Sequence, residues 1–267
     1  MNIDRIVQPA ALPLDIAAAR SQVRQDVSID DADLDVYMRA ARRFAESLCN
    51  RTLIATRYRA TLDEFPDDAF SLKFGPVLKV VSITYVDTAG DWQTVDAATY
   101  VVDLGTVTRI ALASSQSWPS IYSRIGAVRI TYDAGDAAAV TVVAATDVFT
   151  IKGGLWSTLA VDDVVRLSNS GGVLPSPLNP DTDYYIQSVP SSATFTLSET
   201  AGGAAIDITD VGTGTHYIGA VPDDVLSWMR LRIGGLYETR EDAVAMSGQQ
   251  MVALPYVDRL LDDARIY

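Results

Sequence analysis

The sequence predicts an α+β protein: a helical domain with a small antiparallel sheet, interrupted by an inserted all-β domain. Three observations carry that expectation. Amphipathic helical patterns lie near both ends of the chain, before residue 50 and after Val221, where helices can pack on one another. The stretch between them consists of short runs of β-branched and aromatic residues bounded by glycine and aspartate turn signals. Within that stretch the composition changes at residue 137: residues 137–220 hold only Lys152 and Arg166 as basic residues against eight acidic ones, and are rich in Thr, Ser, Gly and Val. The expected division is one discontinuous domain of residues 1–136 and 221–267, with 137–220 as the inserted module. Such an insertion is tolerated when its ends lie close together, because loop-closure entropy grows slowly with length.

After an irregular start, Ile16, Ala19 and Val23 fall on one face of a short helix with Asp15 as its N-cap. A longer helix follows Ile29. Asp30 can cap it, Asp31, Asp33 and Asp35 crowd its positive end, and Arg39, Arg42 and Arg43 come later, the order that the helix dipole favours. Leu34, Tyr37, Met38, Ala41, Phe44, Ala45 and Leu48 form its apolar stripe. Cys49, the one cysteine, excludes an internal disulfide and reads as a small buried hydrophobe. Residues 57–62, 70–74, 79–87, 100–103 and 127–132 read as strands of the small sheet. Val81, Ile83 and Tyr85 alternate there, Ala89-Gly90-Asp91 makes a turn before Trp92, and Trp118 in its loop serves as a lid on the core. In the insertion, residues 149–152, 163–167, 184–189, 194–197 and 206–209 read as strands, separated by glycine pairs such as Gly171-Gly172.

The helix predicted over 221–242 starts with Pro222 at its first position and with Asp223 and Asp224 in its first turn. Val225, Trp228, Met229, Arg232, Leu236 and Tyr237 share one face, which is expected to pack on the helix that ends near Cys49. Gly234 and Gly235 cost about 1 kcal/mol each relative to alanine, and close approach of another backbone is the expected reason for them. Val257, Leu260, Leu261 and Ala264 form a last short helix, docked on the fold and ending near Arg265.

Net charge is −13, from 34 acidic and 21 basic residues, which argues against a surface that wraps nucleic acid through its phosphates. No signal peptide or apolar run of membrane-spanning length is present, so folding in a cytoplasm and no membrane partner are expected. Catalytic chemistry finds little support. His216 is the only histidine and lies in a Gly-Thr-Gly-Thr-His-Tyr turn, so neither a triad nor a histidine metal cluster can be built. Asp31, Asp33 and Asp35 resemble the start of a calcium loop, but Val36 stands where glycine is needed and Arg42 where a glutamate belongs. Nucleotide-binding glycine motifs and the Gly-x-Ser-x-Gly elbow are absent. No catalytic, cofactor or metal residue is assigned, and a hydrolase would require a cleft with perturbed carboxylates.

With the insertion removed, residues 12–136 and 221–267 resemble the head–tail connector (adaptor) proteins of long-tailed bacteriophages. The resemblance runs through Leu14-Asp15-Ile16, Asn50-Arg51-Thr52-Leu53-Ile54, Phe65-Pro66, Ser117-Trp118-Pro119, Val128 to Gly135, Val221-Pro222, Tyr237-Glu238-Thr239-Arg240-Glu241 and Leu254-Pro255. The inserted segment is similar to β modules of other phage virion proteins at Asp181-Thr182-Asp183-Tyr184-Tyr185, Thr194-Phe195-Thr196-Leu197 and Ile206-Asp207-Ile208-Thr209. The first resemblance implies a helical connector domain and a non-enzymatic virion protein. It would form a ring of twelve copies between the portal and a tail completion or terminator protein, with DNA passing through an acidic lumen. On that reading the candidate interface residues are Trp228, Arg232, Tyr237, Glu238, Arg240, Glu241, Leu260 and Arg265, and rearrangement on docking is expected around Gly248. The alternative is a tail or baseplate component that binds host-surface carbohydrate on an aromatic platform of Trp156, Tyr184 and Tyr185.

Overall fold

The computed structural model of the protein describes residues 1–180, 182–238 and 255–266. Over these residues the fold is α+β, with mostly antiparallel sheets that include a nearly closed barrel. The chain opens on a strand, β1 (Asn2–Val7), where the sequence suggests only an irregular start. Its burial alternates weakly, with Ile3 and Arg5 half-buried between exposed neighbours, and pairing with a neighbouring strand makes it extended.

Two helices follow. α1 (Ile16–Val23) is capped as expected, the Asp15 carboxylate accepting the Ala17 N–H at 2.9 Å. α2 (Asp31–Cys49) is not capped by Asp30, whose backbone is not extended there and whose carboxylate accepts instead from the Tyr237 hydroxyl at 2.6 Å. The buried stripe of α2 is Leu34, Met38, Ala41, Ala45 and Cys49, together with Arg42 and Glu46, while Phe44 is 46% exposed. The stripe is therefore rotated toward two charged residues and away from the apolar Phe44.

The chain then runs through β2 (Thr56–Leu62), β3 (Phe70–Ser71), β4 (Val77–Val86), β5 (Trp92–Thr94), β6 (Tyr100–Asp103), β7 (Arg109–Leu112) and β8 (Val128–Ala134). Five of the strands so far form one sheet in the order β1-β2-β8-β4-β5, and β3-β7-β6 form a second. The pairing of β4 with β8 shifts register between Val80 and Ser82, so Val81 is bulged outward and 42% exposed, while Ile83 is 1% exposed. Trp118 lies flat on Phe65, their ring centroids 4.6 Å apart, and closes the core of Tyr58, Ile83, Ile110, Ile130 and Tyr132.

Residues 137–219 build a seven-stranded antiparallel sheet of their own from β9 (Ala137–Val143), β10 (Val148–Ile151), β11 (Val164–Val165), β12 (Leu167–Ser170), β13 (Tyr184–Ser191), β14 (Thr194–Ser198) and β15 (Thr215–Gly219). The strand order is β11-β13-β14-β10-β9-β15-β12. Its first and last strands pair with each other, Ala137 opposite Gly219, so the two ends of the segment are neighbours. β9 begins with three alanines and β15 follows a glycine-rich turn, patterns with no strand signal; His216 thus lies in a strand and not in a turn. Residues 206–209, expected as a strand, form none. Ile206 and Ile208 are buried, but that segment pairs with the sheet no further than a bridge at Ala205 and the Ile206 N–H, which donates to the Leu197 carbonyl at 2.8 Å.

α3 (Asp223–Glu238) and α4 (Pro255–Arg259) complete the described elements. α3 buries Val225, Trp228, Met229 and Ile233, so Ile233 takes the place expected of Arg232. Among the described residues no backbone explains the two glycines: a Cβ on Gly234 would meet only the Gln22 side chain at 3.6 Å, and one on Gly235 would meet nothing within 4 Å. α4 is shorter than expected and continues as tight turns to Ala264. The segment is docked, with Leu261 and Ala264 buried and the Ile266 N–H donating to the Cys49 carbonyl at 2.8 Å.

Candidate assembly surface and the junction behind it

The helices meet at a junction built around Arg51, in the exit from α2. Its guanidinium gives three hydrogen bonds to the Asp136 carboxylate, at 2.7 to 2.9 Å, and a fourth to the Ala264 carbonyl at 3.1 Å. One side chain thus ties together the end of α2, the entry to the seven-stranded sheet and the C-terminal segment. Burial pushes the Asp136 carboxyl up to about 6, against the pull of Arg51. The two chain crossings there need glycine. A Cβ on Gly135 would lie 2.6 Å from the Ala55 backbone, and one on Gly219, at φ +79, would lie 2.3 Å from the Asp136 carbonyl oxygen.

Two more charged groups are buried on this side of the molecule. Glu46 receives Arg5 at 2.9 Å and the Leu53 N–H at 3.3 Å, with Arg42 further off at 3.8 Å. Asp133, on β8, is fully buried between Arg57 at 2.6 Å and Lys79 at 3.8 Å. Each anion is held by more than one donor, the condition under which buried charge is tolerated.

The residues expected at an interface fall into three groups. Trp228 is a core residue, 1% exposed, stacked on Phe44 and donating its indole N–H to Asp258 at 3.1 Å. Tyr237 and Leu260 are half-buried against the helical core, Tyr237 also accepting from Gln25, and Arg265 pairs locally with Asp262 at 3.2 Å. Arg232, over the Phe44 ring at 5.3 Å, and Glu238 are on the surface. Arg240, Glu241 and Gly248 lie outside the described residues. The surface that the sequence reading missed is the outer face of α2, where Val36, Arg39, Ala40, Arg43 and Phe44 are exposed in a row at helical spacing. The signal was present in the cluster of arginines.

The aromatic platform is not assembled. Tyr184 is buried, its hydroxyl accepting the Asn179 N–H at 2.8 Å, and no ring pair among the described residues joins it to Trp156 or Tyr185. His216 is buried between Asn169 at 2.8 Å and the Val211 carbonyl at 2.9 Å, which occupies both ring nitrogens. Asp136, the carboxyl raised by burial, is enclosed by Arg51. Among the described residues no group of three or more histidine, cysteine or acidic side chains could hold a metal, and no helix is long and apolar enough to cross a membrane.

No family model and no curated protein matches the sequence. The fold is similar to chains of solved structures described as the virion of a native gene transfer agent particle and the neck of an empty one computed with C6 symmetry, each with a TM-score of 0.58. It is also similar to a chain from the neck of a native particle computed with C12 symmetry, with a TM-score of 0.55. Identity is 19% in each case, and the match covers 100% of this chain and 96% of the other, the seven-stranded sheet included. At that identity the likeness shows the fold, shared over the whole length of the chain with these components of a gene transfer agent particle.

Proposed function

We propose that this chain is a structural component of the neck of a phage-like particle, in which copies form a ring joining the portal of the head to the tail. The observation that carries the reading is the end-to-end similarity to chains from neck structures solved with six-fold and twelve-fold symmetry. The helical part, residues 1–136 with 221–267, is the connector domain that contacts portal and tail proteins. Residues 137–220 are a module attached through the paired β9 and β15, which projects from the ring. A rigid attachment suits that role, since Arg51 and Asp136 fix the module's root to α2. The net charge of −13 supports a lumen that repels DNA phosphates and lets a genome pass without sticking. No chemical step is assigned to the protein.

Electron microscopy and native mass spectrometry of the purified chain, alone and with portal rings, test the proposal. A closed ring, or a monomer that becomes one on the portal, is the expected result. A chain that stays monomeric in both conditions overturns it.

A further inference from the structure

The outer face of α2 carries a recess of about 540 Å³ lined by Gln8, Val36, Arg39, Ala40, Arg42 and Arg43. Arg42 is its unusual member. It is 5% exposed, yet Nε and Nη1 have no hydrogen-bond partner, and Glu46 at 3.8 Å is too far to give one. Glu46 is already engaged by Arg5 and the Leu53 N–H. A guanidinium buried to that degree with two donors unsatisfied and a distant ion pair costs more than one that is satisfied, so negative charge brought to the recess is favoured there. Arg43 is exposed beside it with no ion pair among the described residues, while Arg39 is shared with Asp35 at 2.7 Å.

The chemistry of the rim selects the acceptor. Val36 and Ala40 are apolar, and a three-arginine cluster on a chain of net charge −13 suits one or two carboxylates better than a polyanion. The chain itself supplies such a group. In the loop after β2, Glu64, Asp67 and Asp68 are exposed and carry no ion pair among the described residues. That loop is held firmly: Asp63 accepts the Gly126 N–H at 2.7 Å, Phe65 is stacked under Trp118, and the Pro66 carbonyl accepts from the Trp118 indole at 3.2 Å. A cyclic ring needs two different surfaces on each copy that complement each other, and these two are opposite in charge.

We infer that the recess on α2 receives a carboxylate of the 63–68 loop from a second copy of this chain, which pairs with the exposed Arg43 and offsets the buried charge of Arg42 beneath it. The contact rests on the ring reading and names the side chains that set its register.

The test is sedimentation velocity on full-length chains over a range of concentration and salt, with and without portal rings. Arg43→Glu, and Arg39→Glu with Arg43→Glu, alter only exposed positions, and so does the loop variant Glu64→Lys, Asp67→Lys, Asp68→Lys. Each is expected to raise the concentration for half-assembly by about tenfold or more, and the loop and arginine changes combined in one chain to recover most of that loss. Arg42→Met, which keeps the volume, is expected to weaken assembly with little change in thermal unfolding. Rings that form equally well in every variant, or singles that weaken assembly without recovery in the combined chain, overturn the inference and leave the ring reading standing. Arginine variants that lose duplex DNA binding but assemble normally overturn it in favour of a phosphate. A wild-type chain that never assembles overturns both.

Discussion

The two halves of the molecule are held together by different physics. The helices and the five-stranded sheet enclose ion pairs: Arg5 with Glu46, Arg57 with Asp133, and Arg51 with Asp136, each carboxylate at most 4% exposed. The seven-stranded sheet buries no charge. Its buried polar residues, Ser170, Thr196, Ser198 and His216, are hydrogen-bonded to neighbouring groups, and the ion pair of Arg166 with Asp183 is on the surface. Around an apolar core of Phe149, Phe195, Ile186 and Ile218 it needs no charge to fix its packing. The difference teaches that the helical half can be tuned by pH, while the β half depends on apolar packing and neutral hydrogen bonds. Buried ion pairs add little net stability but are costly to break singly, so they favour one arrangement of the surrounding segments over others.

The sharpest way to test this contrast is a cavity in the β half. Phe195→Ala removes a ring stacked on Phe149 at 5.3 Å and should cost about 3–5 kcal/mol, with loss of hydrogen-exchange protection concentrated in residues 137–219. Uniform loss over the whole chain would show the halves to be one cooperative unit. In the helical half, Glu46→Gln strands Arg5 beside the already unsatisfied Arg42 and should cost about 3 kcal/mol in denaturant unfolding; a neutral result would mean that these charges are solvated. The pH dependence comes next. The Asp136 carboxyl titrates at about 6 when folded, against 3.8 as the ordinary value, so the folded state holds an extra proton between the two. Its contribution is therefore full below 3.8 and is lost as the pH rises through 6, by up to about 3 kcal/mol. Asp136→Asn should remove that dependence. The smallest effect belongs to the surface pair: Asp183→Ala should leave the unfolding midpoint unchanged, and a clear shift would contradict the view that the β half owes nothing to charge.

Much of the helical layer was legible. Asp15, the acidic start and basic continuation of α2, and the acidic first turn of α3 are local signals whose physics acts within a turn or two, so the sequence carries them directly. Cys49 and Trp118 were placed correctly as core and lid because size and polarity decide burial when no partner is needed. What escaped was set by distant neighbours. β1 is a strand because β2 runs beside it, Val81 points outward because of a bulge against β8, and Asp30 serves Tyr237 instead of its own helix. Trp228, offered as an interface residue, is an inner residue, packed on α2 as expected of the apolar face it shares with Val225 and Met229.

By itself the sequence determined the mixed class of the fold, the positions of the longer helices and the change of character at residue 137, because capping, periodicity and composition are local properties. Only the tertiary structure decided that Ala137 and Gly219 sit side by side, that Arg51 binds the root of the β module and the C-terminal segment at once, and that Arg42 is buried with two donors unsatisfied. Those facts depend on which residues, far apart along the chain, come within hydrogen-bond distance. Such distances are set by packing all the layers together and by nothing written at a single position.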